Sequence, residues 1–315
     1  MVLVLVGIGV FAYERYLERT RHRPSIVPNA DLWSWYRHRA RGEDPTIVLL
    51  GASRMQLNIN TELLRRSLPD HRILELTITG LYPMATLQAL AEDQDFAGTA
   101  VVSLNAQAIE SRYHDMQAPR NEHFSRQPTR YAAFDAYLSA QLRSRLRALH
   151  PMLRLDELVR FYGLYGRFRD PFYVIVHADL SRSADFSLAD ADSLTRTYFD
   201  DKLRNYTDHP PTPVDQWLEN IDVLNDHVQA IQERGGQVIL VRLPTDKAHW
   251  QLDQQYYPRE EYWDRLAEMS LAPAVHFLDV EGLDRFDLPD SSHLDQRNSE
   301  LFTAILFNHI QQYFL

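Results

Sequence analysis

Short apolar runs that alternate with helix-forming segments constrain the fold of this chain more than any other feature of its sequence. The run TIVLL (46–50) is apolar and largely β-branched, which is typical of a strand buried on both faces of a sheet. Because strands that alternate with helices build parallel sheets covered on both sides, the sequence predicts a three-layer α/β/α domain. The other predicted strands are RILELTITG (72–80), TAVVSLN (99–105), QVILVRLP (237–244) and AVHFLDV (274–280).

The alternation breaks between about residues 106 and 213, where the sequence predicts a helical insertion. Two long segments there have a helical pattern, YAAFDAYLSAQLRSRLRALH and LDELVRFYGLYGRF, and only PFYVIVHAD has the pattern of a strand. The proline-rich DHPPTP closes the interruption. The chain is therefore expected to form one domain over 24–315, in which the insertion serves as a lid or an acceptor groove.

The N-terminus is apolar over MVLVLVGIGVFAY and then charged over ERYLERTRHRP. The apolar run is shorter than the roughly 20 residues that cross a bilayer, so it fits a buried helix or strand, the end of a longer anchor, or a short anchor. Because it lacks the polar face of a helix docked on a core, the sequence favours a membrane anchor and basic flank over 1–23. The expected location is then periplasmic or otherwise extracytoplasmic, although the basic flank alone indicates the cytoplasm. A cytoplasmic esterase with a packed N-terminus is the alternative.

Composition and histidine spacing exclude several kinds of site. The net charge of −10 argues against nucleic acid as a partner, because phosphate backbones are held by basic patches. The absence of cysteine excludes disulfides, cysteine nucleophiles and thiolate metal sites. The histidines lack recognisable zinc spacing, so neither a metal nor another cofactor is expected. Those considered and interpreted as packing or surface residues are His114, His123, His177, His249 and His276.

Residues that can carry acyl-transfer chemistry follow several of the predicted strands. The carboxyl ends of parallel strands form one edge of a sheet, where ligands gather, and Ser53, Gly80, Asn105 and the loop with Asp290 and His293 all map to it. A serine hydroxyl needs a neighbouring base, which His293 can be, while Asp290 can orient the imidazole. The backbone N–H groups of Ser53 and Gly80 and the amide of Asn105 are suitable donors to an oxyanion. Glycine at position 80 is expected because a close approach leaves no room for a Cβ.

Each of these residues alone also has a structural explanation, as a helix cap, a turn residue or a surface pair. Their joint occurrence after successive strands favours the catalytic interpretation. Arg54 and Arg242 are weaker candidates for substrate contacts at the same edge, with a structural role preferred for Arg54. The aromatic residues of HWQLDQQYYPREEYW (249–263) could line a sugar groove, although packing under a loop is preferred.

The blocks around these residues resemble the SGNH (GDSL-type) hydrolase superfamily. The matching segments are GASRM with Ser53, TITGLYP with Gly80, SLNAQ with Asn105, and PDSSHLD with Asp290 and His293. The resemblance covers about 45–110 and 215–315 and implies a flavodoxin-like three-layer fold. Departures include alanine in place of the usual acid before the serine. Openings of the GAS type resemble the branch that includes extracytoplasmic polysaccharide O-acetyltransferases.

The resemblance implies serine-dependent acyl transfer on O-acyl esters, by an esterase or an O-acetyltransferase. The implied partners are an acylated cell-envelope glycan or small ester as substrate and a membrane protein that donates acyl groups. The sequence leaves hydrolysis and transfer open, since water or a sugar hydroxyl can attack the same acyl-serine. The alternative is a non-catalytic carbohydrate-binding or scaffold protein of an envelope assembly machine, which the missing acid at Ala52 favours.

Overall fold

A five-stranded parallel sheet forms the centre of the structure, a computed structural model that describes residues 2–42, 44–126 and 130–314. The strands in chain order are β1 (Thr46–Leu50), β2 (Arg72–Glu75), β3 (Thr99–Ser103), β4 (Val174–Val176), β5 (Arg182–Ala184), β6 (Gln237–Arg242) and β7 (Ala274–His276). The sheet has the order β2-β1-β3-β6-β7, and β4 and β5 form a separate antiparallel pair. This order reverses direction beside β1, as in flavodoxin-like doubly wound folds, and it confirms the predicted fold class.

Helices cover both faces of the sheet. They are α1 (Val2–Arg19), α2 (Ala30–Arg39), α3 (Ser53–Asn58), α4 (Thr61–Ser67), α5 (Met84–Glu92), α6 (Ala118–Arg126), α7 (Arg130–Arg143), α8 (Leu155–Tyr165), α9 (Ala191–Asp208), α10 (Val214–Gln232), α11 (Lys247–Tyr256), α12 (Trp263–Met269) and α13 (Gln296–Ile310). Short 3₁₀ turns lie at Ala106–Ile109, Ser111–Gln117, Arg147–Leu149, Pro151–Leu153, Phe186–Leu188, Phe277–Asp279, Leu283–Arg285 and Gln311–Tyr313.

The apolar strands supply two separate hydrophobic layers, one on each face of the sheet. Alternate side chains of a strand point to opposite faces, so Val48 and Leu50 pack with α2, α5 and α10, whereas Ile47 and Leu49 pack with α3, α4 and α13. All four side chains are fully buried, and each such burial stabilises the fold by about 1.5–3 kcal/mol. This double burial explains why the four residues IVLL are all apolar, whereas the polar Thr46 stands at the start of the strand, where its hydroxyl donates to the Asp44 carbonyl at 2.9 Å.

The four sheet strands after β1 end earlier than the sequence predicts, and the second and the last differ most. The second strand was expected to reach Gly80, but its regular part ends at Glu75 and an irregular extended segment follows. In that segment the N–H groups of Leu76 and Ile78 donate to the carbonyls of Leu49 and Gly51. The last strand ends at His276 because the chain turns into a 3₁₀ segment at Phe277–Asp279.

The N-terminal segment forms a helix that contacts the 3₁₀ turns that precede α8. The Tyr13 hydroxyl donates to the Leu153 carbonyl at 2.6 Å, and Leu17 is fully buried against Leu153 and Leu158. No helix in the described ranges 2–42, 44–126 and 130–314 combines the length and apolar character needed to cross a membrane. The predicted membrane anchor over 1–23, and the membrane-anchored location that depended on it, are therefore wrong.

The segment predicted as a helical insertion, 106–213, contains α6, α7, α8 and α9 together with the β4–β5 pair. The strand pattern of PFYVIVHAD corresponds to β4, whose partner β5 follows after a tight turn at Leu180. Parts of this segment lie over the carboxyl ends of the parallel strands, since Tyr198 and Arg182 line the same cavity as Ser53. The insertion therefore shapes the site that the sheet edge begins.

Candidate active site

One cavity of about 690 Å³ lies at the carboxyl edge of the sheet and brings together the residues that the sequence singled out. Its lining includes Ser53, Gly80, Asn105, Asp290 and His293, each of which comes from a different loop or helix start except the last two. The separation of Ser53 and His293 in the chain is 240 residues. Their meeting is therefore a consequence of the sheet order and not of local sequence.

Ser53 is presented by a sharp turn between β1 and α3. Gly51 has φ of +149°, and a Cβ built there would lie 3.0 Å from the Ser103 Cβ and 3.2 Å from the Met55 Cβ. The missing side chain lets the chain pass close to β3 before α3 begins at Ser53. This turn places the Ser53 hydroxyl at the cavity, in the first turn of the helix.

We expect Gly51→Ala to lower the free energy of unfolding by about 1–3 kcal/mol, because the added methyl overlaps β3 and α3. The measurement is urea denaturation followed by circular dichroism. Gly163→Ala is the matched control, since Gly163 lies within α8 and a Cβ there meets no atom within 4 Å. It should be neutral or stabilise the protein by up to about 1 kcal/mol. Equal losses in the two variants would contradict the packing argument.

The histidine and the aspartate form a chain of short contacts with the serine. Ser53 Oγ lies 2.8 Å from His293 Nε2, and His293 Nδ1 lies 2.7 Å from Asp290 Oδ2. An ionised carboxylate can only accept, so the Nδ1–H donates to Asp290 and leaves the Nε2 lone pair for the Ser53 hydroxyl proton. The geometry thereby selects the tautomer in which His293 can act as a base toward Ser53.

The loop around Asp290 holds its carboxylate in place and keeps it ionised. Asp290 Oδ1 accepts from the backbone N–H groups of Ser292 at 3.0 Å and His293 at 2.8 Å. Burial raises the pKa of Asp290, but the hydrogen bond and charge of His293 and these two backbone bonds outweigh burial and hold the pKa below its ordinary value. Ser291 adopts φ of +69°, a strained conformation for a residue with a side chain. The tight turn lets the aspartate face its own histidine.

Three candidate oxyanion donors face the cavity beside Ser53. Within the described part of the chain, the backbone N–H groups of Ser53 and Gly80 have no hydrogen-bond acceptor. Asn105 Oδ1 accepts from the Ala108 N–H at 3.0 Å, which orients the amide so that its nitrogen turns toward Tyr82, at 3.5 Å from the hydroxyl. The side-chain amide is thus held between Ala108 and Tyr82, and both Asn105 and Tyr82 line the cavity.

Gly80 is present for a different reason from the one the sequence suggested. A Cβ at this position would meet no protein atom within 4 Å, so close packing of the protein does not require glycine. Its φ of +74° does favour glycine, since side chains strain that conformation. The glycine therefore sets the path of the loop that carries its N–H group.

The two arginines predicted as weak substrate contacts have different surroundings. Arg54 lines the cavity, and its Nε donates to the Ser292 hydroxyl at 3.0 Å. Arg242 is buried and does not line this cavity. Its Nη2 donates to Asp253 Oδ2 at 2.7 Å, and its Nη1 donates to the Leu243 carbonyl at 2.9 Å. A direct substrate contact by Arg242 is therefore not supported.

The aromatic segment 249–263 also differs from the sugar-groove alternative. Tyr257, Tyr262 and Trp263 are buried, and of this segment only His249 lines the cavity. The cavity instead takes its aromatic rings from elsewhere, namely Tyr82, Tyr113, Tyr173 and Tyr198. In the described part of the chain, no group of three or more histidines and acids could hold a metal ion.

Sequence analysis missed the residues that the insertion contributes to the cavity. Tyr198, Lys202 and Asn205 lie three to four positions apart on one face of α9, and Arg182 comes from β5. The Tyr198 ring lies edge-on to the His293 ring with 6.0 Å between their centroids. The spacing on α9 is a signal that the sequence contains, but nothing local indicates that this face meets the sheet edge.

No protein-family model matches this chain, and no curated protein matches it. Among solved structures, the crystal structure of TesA is similar to 85% of this chain and to 99% of its own chain. The two sequences are 14% identical in this comparison, and the TM-score is 0.38. At this level of similarity, the topology and the contacts around Ser53 remain the basis for any functional conclusion.

Proposed function

We propose that this protein is a serine-dependent acyl hydrolase that acts on O-acyl esters. One observation carries the proposal, namely the continuous contact from Ser53 Oγ through the His293 imidazole to the Asp290 carboxylate inside a cavity large enough for a small substrate. A nucleophile, a base in the correct tautomer and a fixed acid are the three groups that acyl transfer through a serine requires.

In the first half of the proposed reaction, Ser53 Oγ attacks the ester carbonyl while His293 Nε2 takes the hydroxyl proton. The imidazolium is stabilised by Asp290, and the carbonyl oxygen becomes an oxyanion near the N–H groups of Ser53 and Gly80 and the amide of Asn105. The C–O bond to the alcohol then breaks, His293 returns the proton to the leaving oxygen, and an acyl-serine remains.

In the second half, the oxygen of a water molecule attacks the carbonyl carbon of the acyl-serine, and the water gives a proton to His293 Nε2. Collapse of the second oxyanion releases the carboxylic acid, and the proton returns to Ser53 Oγ. The same atoms would transfer the acyl group if an alcohol entered in place of water. The identity of the second nucleophile therefore decides between hydrolysis and transfer.

The direct test is turnover of 4-nitrophenyl acetate together with labelling by a fluorophosphonate probe, which reacts with activated serines. Stoichiometric labelling of the folded protein and saturable release of nitrophenol are expected. Labelling should disappear after thermal unfolding, because the activation of Ser53 depends on His293. A folded protein that neither reacts with the probe nor releases nitrophenol above the buffer rate would refute the hydrolase and leave the non-catalytic binding protein as the better hypothesis.

We expect Asn105→Ala to lower kcat for this ester by about 10²–10³-fold, because removing one oxyanion donor costs roughly that much. Asn205→Ala is the matched control, since Asn205 presents an amide to the same cavity from α9. It should lose less than about tenfold, as its amide has no place in the proposed oxyanion site. Similar losses in both variants would remove Asn105 from the mechanism.

A finer form of the proposal is transfer of an acyl group to or from a sugar hydroxyl. The lining favours a polyol, since four tyrosines and the amides of Asn105, Gln107 and Asn205 surround the cavity. The predicted cell-envelope location depended on the membrane anchor, which the structure contradicts, so the substrate is defined here by its ester and hydroxyl groups. Adding oligosaccharides to the turnover assay should yield acylated sugar at the expense of acetate, and acetate alone would restrict the protein to hydrolysis.

A further inference from the structure

The wall of the cavity beside Ser53 carries more positive charge than negative charge. Arg54 and Lys202 line the cavity, and Arg242 lies near enough that its charge helps to lower the pKa of both. The only acid that makes an ion pair within this cluster, among the described residues, is Asp253. Two of the three cations, Lys202 and Arg242, therefore pair with one carboxylate, and Arg54 does not.

The contacts of Asp253 all go to groups other than Arg54. Its Oδ1 accepts from Lys202 Nζ at 2.6 Å and from the Tyr206 hydroxyl at 2.6 Å, and its Oδ2 accepts from Arg242 at 2.7 Å. Burial raises the pKa of Asp253, but Lys202 and Arg242 outweigh burial and lower the pKa to about 2, so the carboxylate is ionised. Both oxygens are engaged away from Arg54.

Arg54 is the cation without a counter-ion. Its Nε donates to the neutral Ser292 hydroxyl. Among the described residues, no carboxylate oxygen lies within 4.0 Å of its guanidinium nitrogens. Burial and the neighbouring Arg242 both lower the pKa of Arg54. A guanidinium offers five N–H donors in a planar fork that matches a carboxylate or a phosphate. Most of these donors are free to bind a ligand in the cavity.

His249 provides a second, independent sign that a polar ligand binds here. The side chain is 2% exposed, lines the cavity and stacks on Phe199, yet neither ring nitrogen has a hydrogen-bond partner in the described part of the chain. Burial and the charge of Lys202 lower the pKa of His249 to about 4, so the ring is neutral near pH 7. A neutral imidazole offers one donor and one acceptor, and a buried imidazole with neither satisfied is costly.

The remaining acids near the cavity do not supply the missing charge. Asp290 is engaged with His293, and Asp201 pairs on the exposed side with Arg204 at 3.4 Å. Asp246 caps α11 by accepting from the His249 backbone N–H at 2.8 Å. The Arg182 guanidinium, which also lines the cavity, makes no ion pair in the described residues and adds further positive charge. The excess of cations is thus a property of the whole cavity wall.

We propose that the ester bound at this site carries an anionic group, a carboxylate or a phosphate, that pairs with Arg54 while His249 makes a hydrogen bond to the same part of the substrate. This inference rests on the proposed acyl hydrolase and adds its substrate class. The anion can belong to the acyl part of the ester or to the alcohol part. Because Arg54 directly follows Ser53, either arrangement holds the ester next to the nucleophile.

The first test compares two pairs of esters that differ in charge. 4-Nitrophenyl hemisuccinate and 4-nitrophenyl acetate place the anion on the acyl part, and 4-acetoxybenzoate and phenyl acetate place it on the alcohol part. The quantity measured is the ratio of kcat/KM for the anionic ester to kcat/KM for its neutral partner. In one of the two pairs, Arg54→Met should lower this ratio at least about tenfold relative to wild type, mainly through KM, since a hydrogen bond to a charged group is lost.

Two further variants separate charge from folding and from bulk electrostatics. Arg54→Lys keeps the charge and should retain more of the ratio than the methionine variant. Arg66→Met removes a cation that is exposed on α4 and paired with Glu300, and its ratio should equal that of wild type. The proposal would be overturned if Arg54→Met changed the ratio less than about twofold from wild type for both pairs of esters. It would also be overturned if Arg54→Met and Arg66→Met changed the ratio equally.

The second test does not depend on turnover. Ser53→Ala protein is titrated with the same four esters by calorimetry, and the anionic member of one pair should bind at least about tenfold more tightly than its neutral partner. Adding Arg54→Met in the Ser53→Ala background should remove that difference. Equal binding of the anionic and neutral esters would overturn the anion site. If wild-type protein hydrolysed none of the esters while tighter binding of the anionic ester still depended on Arg54, the hydrolase would be refuted and the anion site would be retained.

Discussion

Ser53→Ala is expected to lower kcat for ester turnover by roughly three orders of magnitude or more, because Ser53 is the serine whose hydroxyl contacts the base His293. The Ser53 Oγ is the atom in contact with His293 Nε2, and without it the base has no hydroxyl to activate. The residual rate would come from the oxyanion donors and from substrate binding alone. Reaction with the fluorophosphonate probe should disappear together with turnover.

The same substitution should leave the thermal midpoint nearly unchanged. The Ser53 side chain is only partly buried, and the cost of losing its hydroxyl is expected to stay within about 0.5 kcal/mol. Ser292→Ala is the control, since Ser292 is the other serine whose side chain lines the cavity. It should still be labelled by the probe. Labelling that persists in Ser53→Ala but is lost in Ser292→Ala would transfer the role of nucleophile to the other serine.

The sheet and the sequence positions of the proposed catalytic residues were predictable because their signals are local. A strand buried on both faces is apolar along most of its length, and the runs IVLL (47–50) and VILV (238–241) show this without reference to the rest of the chain. Parallel strands place their carboxyl ends at one edge, so residues that follow such strands are expected to meet. The structure agrees in bringing Ser53 and His293 within hydrogen-bond distance.

The cation-rich wall of the cavity could not be predicted, because it depends on contacts between distant segments. The pair of Arg54 and Ser292 joins positions 238 residues apart, and Lys202 reaches Asp253 from a helix of the insertion. Periodicity can show that Tyr198 and Lys202 share a face of α9, but it does not show what that face contacts. His249 is buried and stacked on Phe199, as the sequence suggested, but its place beside the cavity also depends on contacts between distant segments.

The membrane anchor was a wrong prediction because apolar composition was weighed without the contacts that follow it. The residues that dock α1 on the fold lie at the end of the apolar run and beyond it. They are Tyr13, Glu14 and Leu17. Glu14 accepts from the backbone N–H groups of Arg147 and Ala148 at the 3₁₀ turn before α8. A short apolar run followed by docking residues fits a helix of the fold as well as it fits an anchor.

Asp290→Asn is expected to lower kcat by roughly 10³–10⁴-fold through the tautomer of His293. The asparagine side chain has nearly the shape of aspartate, and its oxygen can still accept from the N–H groups of Ser292 and His293. Its NH₂ group would then face His293 Nδ1, which must become an acceptor. The imidazole proton moves to Nε2, where it faces Ser53 Oγ and blocks the transfer of the hydroxyl proton.

The expected loss therefore appears in kcat and in the rate of probe labelling, whereas the fold should persist. Asp287→Asn removes the same charge from an exposed position three residues earlier, and it serves as the matched control. Rates for this control should stay within about twofold of wild type, because an exposed charge at that distance is largely screened. Equal effects of the two variants would show that loss of charge, and not the orientation of His293, explains the change. If the anionic ester pairs with Arg54 as we propose, KM for that ester should change far less than kcat in Asp290→Asn.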